Sequence, residues 1–133
     1  MGGHNFLLFV DSNLSIYSNL LKLSSVLQDC LLKTEVSKGF PKEEKYALTD
    51  QVRRSSRSVC ANIGEAYRKR RYPAHLISKL TDSDAENSET QVWIDFAFAC
   101  KYIDEYTFIS FIQRSEEVGR LINHMIANPE KYL

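Results

Sequence analysis

Glycine and proline are scarce in this chain, at 5 and 3 residues respectively. Turn-rich β architectures use more of both, so long uninterrupted helices fit better. Cysteine is sparse as well. Cys30, Cys60 and Cys100 are odd in number and widely spaced, which offers neither a disulfide framework nor the short spacing of a zinc site or redox motif. Reduced, half-buried thiols in a cytoplasmic protein are the natural reading. No apolar run approaches the length of a membrane span. Phe6-Leu7-Leu8-Phe9-Val10 is short, has no Lys or Arg before it and is followed by Asp11, so a signal peptide is not expected either. Net charge is missing too: the formal value is +0 and the pI is near 6.8. No global field therefore draws the protein to nucleic acid or anionic lipid, and any such binding has to come from a local patch.

What the chain does have is an ordinary globular balance, 44% hydrophobic and 26% charged over 133 residues. That is enough for a single domain with one core, spanning residues 1–133. Residues 1–12 read as an N-terminal arm, either a frayed helical start or an apolar segment that docks on a neighbour.

The chain is organised around Leu48–Arg71. At helical pitch, Leu48, Val52, Ser55, Val59, Ile63 and Ala66 fall on one side, a stripe that can bury against a partner. Arg53, Arg57 and Arg68 point roughly the other way, to solvent or a second molecule. Arg54, Ser58, Asn62 and Glu65 form a polar flank between the two. Pro41 and the Lys42-Glu43-Glu44-Lys45 run precede this helix, and Tyr72-Pro73 ends it, because the residue before a proline is pushed out of the α region.

Three more helices are predicted. Leu14, Tyr17, Leu21, Ser24, Gln28 and Leu31 recur at three- and four-residue steps, with Leu20 and Leu27 beside them, which places a first helix over Asn13–Ser37 with Gly39 at its C-cap position. The third helix starts at Pro73 and runs to about Tyr102, with Leu76, Leu80, Ser83, Asn87, Gln91, Ile94 and Phe98 on one face. The polar middle of that face needs hydrogen-bond partners if it is buried. Asp104 is a good N-cap for a fourth helix lined by Phe108, Phe111, Ile112, Ser115, Gly119, Ile122 and Ile126. Four such helices with short links pack most simply as an all-α, antiparallel, up-down-up-down four-helix bundle.

Two stretches carry a resemblance. Phe40-Pro41-Lys42-Glu43-Glu44-Lys45-Tyr46-Ala47-Leu48 runs into Gln51-Val52-Arg53-Arg54-Ser55, and Ser58-Val59-Cys60-Ala61-Asn62-Ile63-Gly64-Glu65-Ala66 follows. Together with the later Glu89-Thr90-Gln91, Trp93-Ile94 and Tyr102-Ile103-Asp104, they resemble the four-helix bundle proteins encoded by intervening sequences in bacterial large-subunit ribosomal RNA genes. The likeness spans about Phe40 to Ile126. The family usually shows alanine, glutamate, glycine where this chain has Gly64, Glu65, Ala66, and glycine where it has Lys101. The resemblance implies a homo-oligomer, a ring of five subunits, with a biochemical role that is largely unsettled. Similar proteins include the accessory subunit of diversity-generating retroelements, which binds a reverse transcriptase and nucleic acid. By analogy, the implied partners here are RNA, DNA or a reverse-transcriptase-like protein.

Several residue groups invite a functional reading. Arg53, Arg57, Arg68, Lys69, Arg70 and Arg71 form a basic stripe leading into a basic turn. It reads either as phosphate contacts multiplied by repetition in a ring, or as a solvated face whose last turn complements the helix dipole. Asp82, Asp84, Glu86 and Glu89 cluster on the third helix, but none of His4, His75 and His124 stands three positions after a glutamate, as carboxylate-bridged metal bundles require. No metal or cofactor is expected. The structural alternative pairs Arg54 with Glu89, and Asn62 with Glu65, as members of a buried polar layer, where loss of one ionic partner costs roughly 3–5 kcal/mol. Trp93, Phe96 and Tyr102 lie partly off the core stripe and read as peripheral core or as an oligomer contact. An enzymatic alternative rests on Arg70 and His75, separated by four residues as in small helical ribonucleases of the HEPN type. Histidine as a residue type suits acid–base cleavage of RNA, but here the pair straddles Tyr72-Pro73, and no other catalytic set is visible. A non-catalytic scaffold that binds nucleic acid or a nucleic-acid enzyme is the leading expectation, with a purely structural oligomer and a His75 ribonuclease as alternatives.

Overall fold

A computed structural model describes the backbone of residues 14–132 and the side chains of residues 23–131. The expected arm over residues 1–12 lies outside the described residues. The described residues form four α-helices: α1 (Leu14–Ser37), α2 (Leu48–Arg68), α3 (Pro73–Ala99) and α4 (Glu105–Ala127). Short 3-10 turns lie at Lys42–Glu44 and Pro129–Tyr132, and there are no strands among the described residues. Helices adjacent in sequence pack side by side, most extensively α2 on α3 and then α3 on α4, while α1 lies on α2 and touches α4 to close the ring. The result is an antiparallel four-helix bundle.

Each end is fixed by local chemistry. Glu44 reaches from the first 3-10 turn to accept from the Leu48 N–H at 3.0 Å, placing a carboxylate at the positive start of α2. Pro73 occupies the first turn of α3, where its missing N–H costs nothing. Asp104 caps α4 by accepting from the Thr107 N–H at 2.8 Å, a bond that holds its carboxyl below the usual range.

Among the described residues the left-handed backbone conformation falls not on Gly39 but on Lys101, at φ 62. After α1 the chain instead turns through successive bonds to the third residue back, Lys38 N–H to the Glu35 carbonyl at 3.2 Å, Gly39 N–H to that of Val36 at 3.0 Å and Phe40 N–H to that of Ser37 at 3.1 Å. At the end of α3, the Tyr102 N–H reaches back to the Ala97 carbonyl at 2.8 Å and the Lys101 N–H to that of Phe98 at 2.9 Å. This is the Schellman arrangement, whose C′ residue is usually glycine because a Cβ is disfavoured there. Lys101→Gly should therefore raise stability by about 1 kcal/mol. A melting temperature lowered by this substitution would mean that the Lys101 side chain contributes more than its backbone strain costs.

The core has two apolar halves. Leu23, Val26, Val59, Ile63, Ala66, Leu76, Leu80, Val118, Ile122 and Met125 fill one end of the bundle, and Phe40, Val52, Ile94, Ala97, Ile103 and Phe111 fill the other. Between them runs a polar waist. Thr90 Oγ1 lies 2.8 Å from Ser55 Oγ, Ser83 donates to the Val59 carbonyl at 2.8 Å, and Asn87 donates to the Ser115 carbonyl at 2.9 Å. Ser83, Asn87 and Thr90 of α3 are thus satisfied by the core stripe of α2 and by α4, whereas Gln91 donates to Asp95 of its own helix at 2.9 Å and its buried Oε1 has no partner among the described residues.

α1 contributes the charged part of that waist. Lys33, only 1% exposed, donates to Asp29 at 2.6 Å and to Ser115 Oγ at 3.1 Å, with its ammonium 5.7 Å from the Phe111 ring centroid. This overturns the expected α1 stripe. The buried described face is Leu23, Val26, Asp29, Cys30, Lys33 and Ser37, while Leu31 is 59% exposed. Cys30 sits beside this pair and donates to Ser56 Oγ at 3.6 Å. A hydrogen bond with Cys60 draws its thiol down to about 6 despite burial, and the same bond pushes the Cys60 thiol up.

Candidate nucleic-acid interface

The arginines of α2 meet three different fates. Arg53 does not face solvent: it is half-buried and its Nε donates to Ser37 Oγ at 2.8 Å, tying α2 to the end of α1. Arg54 bridges to α3, donating to Glu89 at 2.7 Å and to Glu86 at 3.3 Å, and within its own helix to Gln51 Oε1 at 3.0 Å. Arg57 is exposed.

The expected buried layer of Arg54, Asn62, Glu65 and Glu89 does not exist as a unit. Arg54 and Glu89 do pair, but their side chains are 41% and 38% exposed. A surface pair of this kind is worth about 0.2–1 kcal/mol, well short of a buried one. Arg54 holds Glu89 below the ordinary carboxylate range, while burial pushes Glu86 above it. Glu65 pairs instead with Lys79 at 2.9 Å on the surface, and Asn62 donates to the Ser58 carbonyl of its own helix at 2.9 Å. The separation is geometric: eleven residues of α-helix set Glu65 about 16 Å along the axis from Arg54.

The acidic residues of α3 likewise go to separate partners. Lys79 lies 3.9 Å from Asp82, Asn123 donates to Asp84 at 3.3 Å, and Arg54 takes Glu86 and Glu89. No group of three His, Cys, Asp or Glu side chains is placed to hold a metal among the described residues.

The basic turn between α2 and α3 is where positive charge accumulates. Arg68, Lys69, Arg70 and Arg71 are consecutive, and all but Arg70 are exposed. The Lys69 N–H bonds the Glu65 and Ala66 carbonyls at 3.0 and 3.1 Å, and the Tyr72 N–H bonds the Lys69 carbonyl at 2.9 Å, so the backbone of the turn is fixed. Arg70 folds back on α2: its Nη1 donates to the Tyr67 carbonyl at 3.1 Å and its guanidinium stacks 4.2 Å from the centroid of the Tyr67 ring. It thereby complements the helix dipole, alongside Arg68 in the last turn of α2. Among the described residues no carboxylate forms an ion pair with Lys69 or Arg71. His75 is exposed and packs edge-on against Tyr72 at 5.8 Å. The two residues of the ribonuclease alternative are thus engaged with different rings, Arg70 with Tyr67 and His75 with Tyr72.

With the geometry in place, comparison with known proteins defines the family. Residues 17–124 match the family described as 23S rRNA-intervening sequence protein. The chain belongs to it. The match reaches upstream of Phe40, so α1 is part of the family domain and not an appendage. A crystal structure from Bacteroides thetaiotaomicron, titled as a protein with unknown function from the S23 ribosomal protein family, is similar at 26% identity and a TM-score of 0.72. The similarity covers 79% of this chain and 97% of that one. No curated protein matches the sequence. No helix among the described residues is long and apolar enough to cross a membrane.

A second surface was only half-read from the sequence. On the outer side of α3, Val92 and Phe96 are 46% and 54% exposed, and Trp93 packs on Phe96 with ring centroids 6.0 Å apart. Trp93, Phe96 and Cys100 face Glu44, Ala47, Leu48 and Gln51 across a hollow of about 300 Å³. Tyr102, by contrast, belongs to the core: its ring packs on Phe40 at 5.7 Å and its hydroxyl donates to Glu44 at 3.4 Å. Periodicity alone could not separate these aromatics: Trp93 and Phe96 lie at the edge of the α3 stripe, and Tyr102 lies past the end of α3, in the turn that follows Ala99.

Proposed function

We propose that this intervening-sequence family member is a cytoplasmic, non-catalytic scaffold that self-associates through the Val92–Trp93–Phe96 face and binds nucleic acid through the basic α2–α3 turn. The nucleic-acid reading rests on one observation. A chain of zero net charge gathers four consecutive cations at one end of the bundle, and two of them, Lys69 and Arg71, form no ion pair among the described residues. Arg53 and Arg54, tied to α1 and α3, are left out of the interface, whereas Arg57 extends it along α2. Self-association would repeat the patch and convert weak single contacts into useful avidity. A nucleic-acid enzyme carrying its own bound strand is a compatible partner.

Binding of labelled oligonucleotides followed by anisotropy over a salt series tests this. Affinity should fall steeply with salt. The variant Arg57→Glu/Lys69→Glu/Arg71→Glu should flatten the slope of log K against log salt by about 2. Binding insensitive to both salt and these charges would remove the proposal.

A further inference from the structure

The basic turn is not only charged. It carries three aromatic rings within nine residues, Tyr67, Tyr72 and His75, interleaved with the cations. They are arranged differently. Tyr67 is covered by the Arg70 guanidinium. Tyr72 is 65% exposed, and His75 meets it at 5.8 Å with an interplanar angle of 66°, so the imidazole is not stacked flat on the phenol ring and most of that ring's surface stays open to solvent. Its backbone is held on one side by its N–H bond to Lys69 and on the other by Pro73 at the start of α3. An aromatic left in water on a rigid turn gains nothing for the bundle, because the core ends at Ala66 and Leu76 on either side.

We infer that the α2–α3 turn is a site for single-stranded nucleic acid, with an unpaired base stacking on Tyr72 and the flanking phosphates against Lys69 and Arg71. The inference rests on the nucleic-acid reading above and narrows it. Base stacking on an exposed ring requires an unstacked base, which a single strand offers and an intact duplex does not. A purely electrostatic patch would instead follow phosphate density and favour the duplex, whose charge per unit length is higher. RNA and single-stranded DNA share the chemistry of base face and phosphate, so both are covered.

The test uses the full chain with short labelled mixed-sequence RNA and DNA strands and the matching DNA duplex. Both single strands, or one of them, should bind more tightly than the duplex. Tyr72→Ala should weaken single-strand binding about 5- to 150-fold while leaving the salt slope unchanged, and Tyr72→Trp should restore it. Lys69→Glu/Arg71→Glu should instead reduce the salt slope. Because Tyr72 is exposed, helical content by circular dichroism should be the same in all variants. Equal binding of strand and duplex, with Tyr72→Ala silent but Lys69→Glu/Arg71→Glu damaging, would overturn the stacking site and leave the broader reading standing. Absence of binding to any of the three probes at low salt would overturn both.

Discussion

Lys33→Ala should destabilise the bundle by about 3–5 kcal/mol, the cost of stranding one member of a buried ion pair. With a urea slope of about 1–3 kcal/mol per molar, the midpoint should fall by roughly 1–5 M. The reason is local. Asp29 is buried, its Oδ1 has no hydrogen-bond partner among the described residues, and Lys33 Nζ at 2.6 Å is what balances its charge. Removing the ammonium also strips the Ser115 hydroxyl of its donor and the Phe111 ring of its cation. The companion variant Asp29→Leu/Lys33→Met removes both charges and keeps most of the volume. It should recover nearly all the loss, because apolar replacement of a buried pair is often neutral or stabilising. Equal midpoints for Lys33→Ala and the parent, measured at one protein concentration, would show that the waist is hydrated and that this pair is no part of the core.

That pair also explains why α1 was the least legible element. Hydropathy periodicity locates a buried face by its apolar residues. On α1 the described inner face includes Asp29, Lys33 and Ser37 while Leu31 faces outward, so the pattern pointed to the wrong side. The signal that would have corrected it was the Asp29–Lys33 spacing of four, together with the serine at position 115 at the matching height on α4. The stripes of α2 and α3 carry no charge. There Val52, Ser55, Val59, Ile63 and Ala66, and Leu76, Leu80, Ser83, Asn87 and Ile94, are buried as read, while Leu48, Gln91 and Phe98 of the same stripes are half-buried. Helix starts were legible where proline or an N-cap aspartate marks them, at Pro73 and Asp104, whereas α2, read as running to Arg71, ends at Arg68.

The candidate site was legible in composition but not in assignment. A helical wheel gives the direction of Arg53 from its own axis, not what stands in that direction. The end of α1 stands there, with Ser37 as acceptor. Arg54 and Glu89 were paired correctly in space but placed too deep, because a polar flank adjacent to a core stripe can lie either just inside or just outside the bundle surface. Tyr72 was read only as the end of a helix. Its exposure depends on how α2 and α3 diverge at the turn, which no local sequence rule supplies.

Phe96→Glu should dissociate the proposed assembly into single copies of 15.3 kDa, measured by light scattering during gel filtration, with helical content unchanged. Phe96 is 54% exposed on a single bundle, touches Trp93, and contributes to neither core half. Its replacement should therefore leave the fold of one copy intact. Against a neighbouring subunit, the introduced carboxylate would have to lose its hydration beside Trp93 and Leu48, at an effective cost of several kcal/mol per interface. That exceeds the roughly 1 kcal/mol that most single interface residues contribute. In a closed ring every subunit carries the substitution and every interface loses the same amount, so the assembly should fail as a whole instead of shedding one member. A parent protein that already elutes at 15.3 kDa would remove the assembly outright. A Phe96→Glu variant that stays assembled would move the interface away from α3, with Leu31 and the outer side of α1 the next surface to probe.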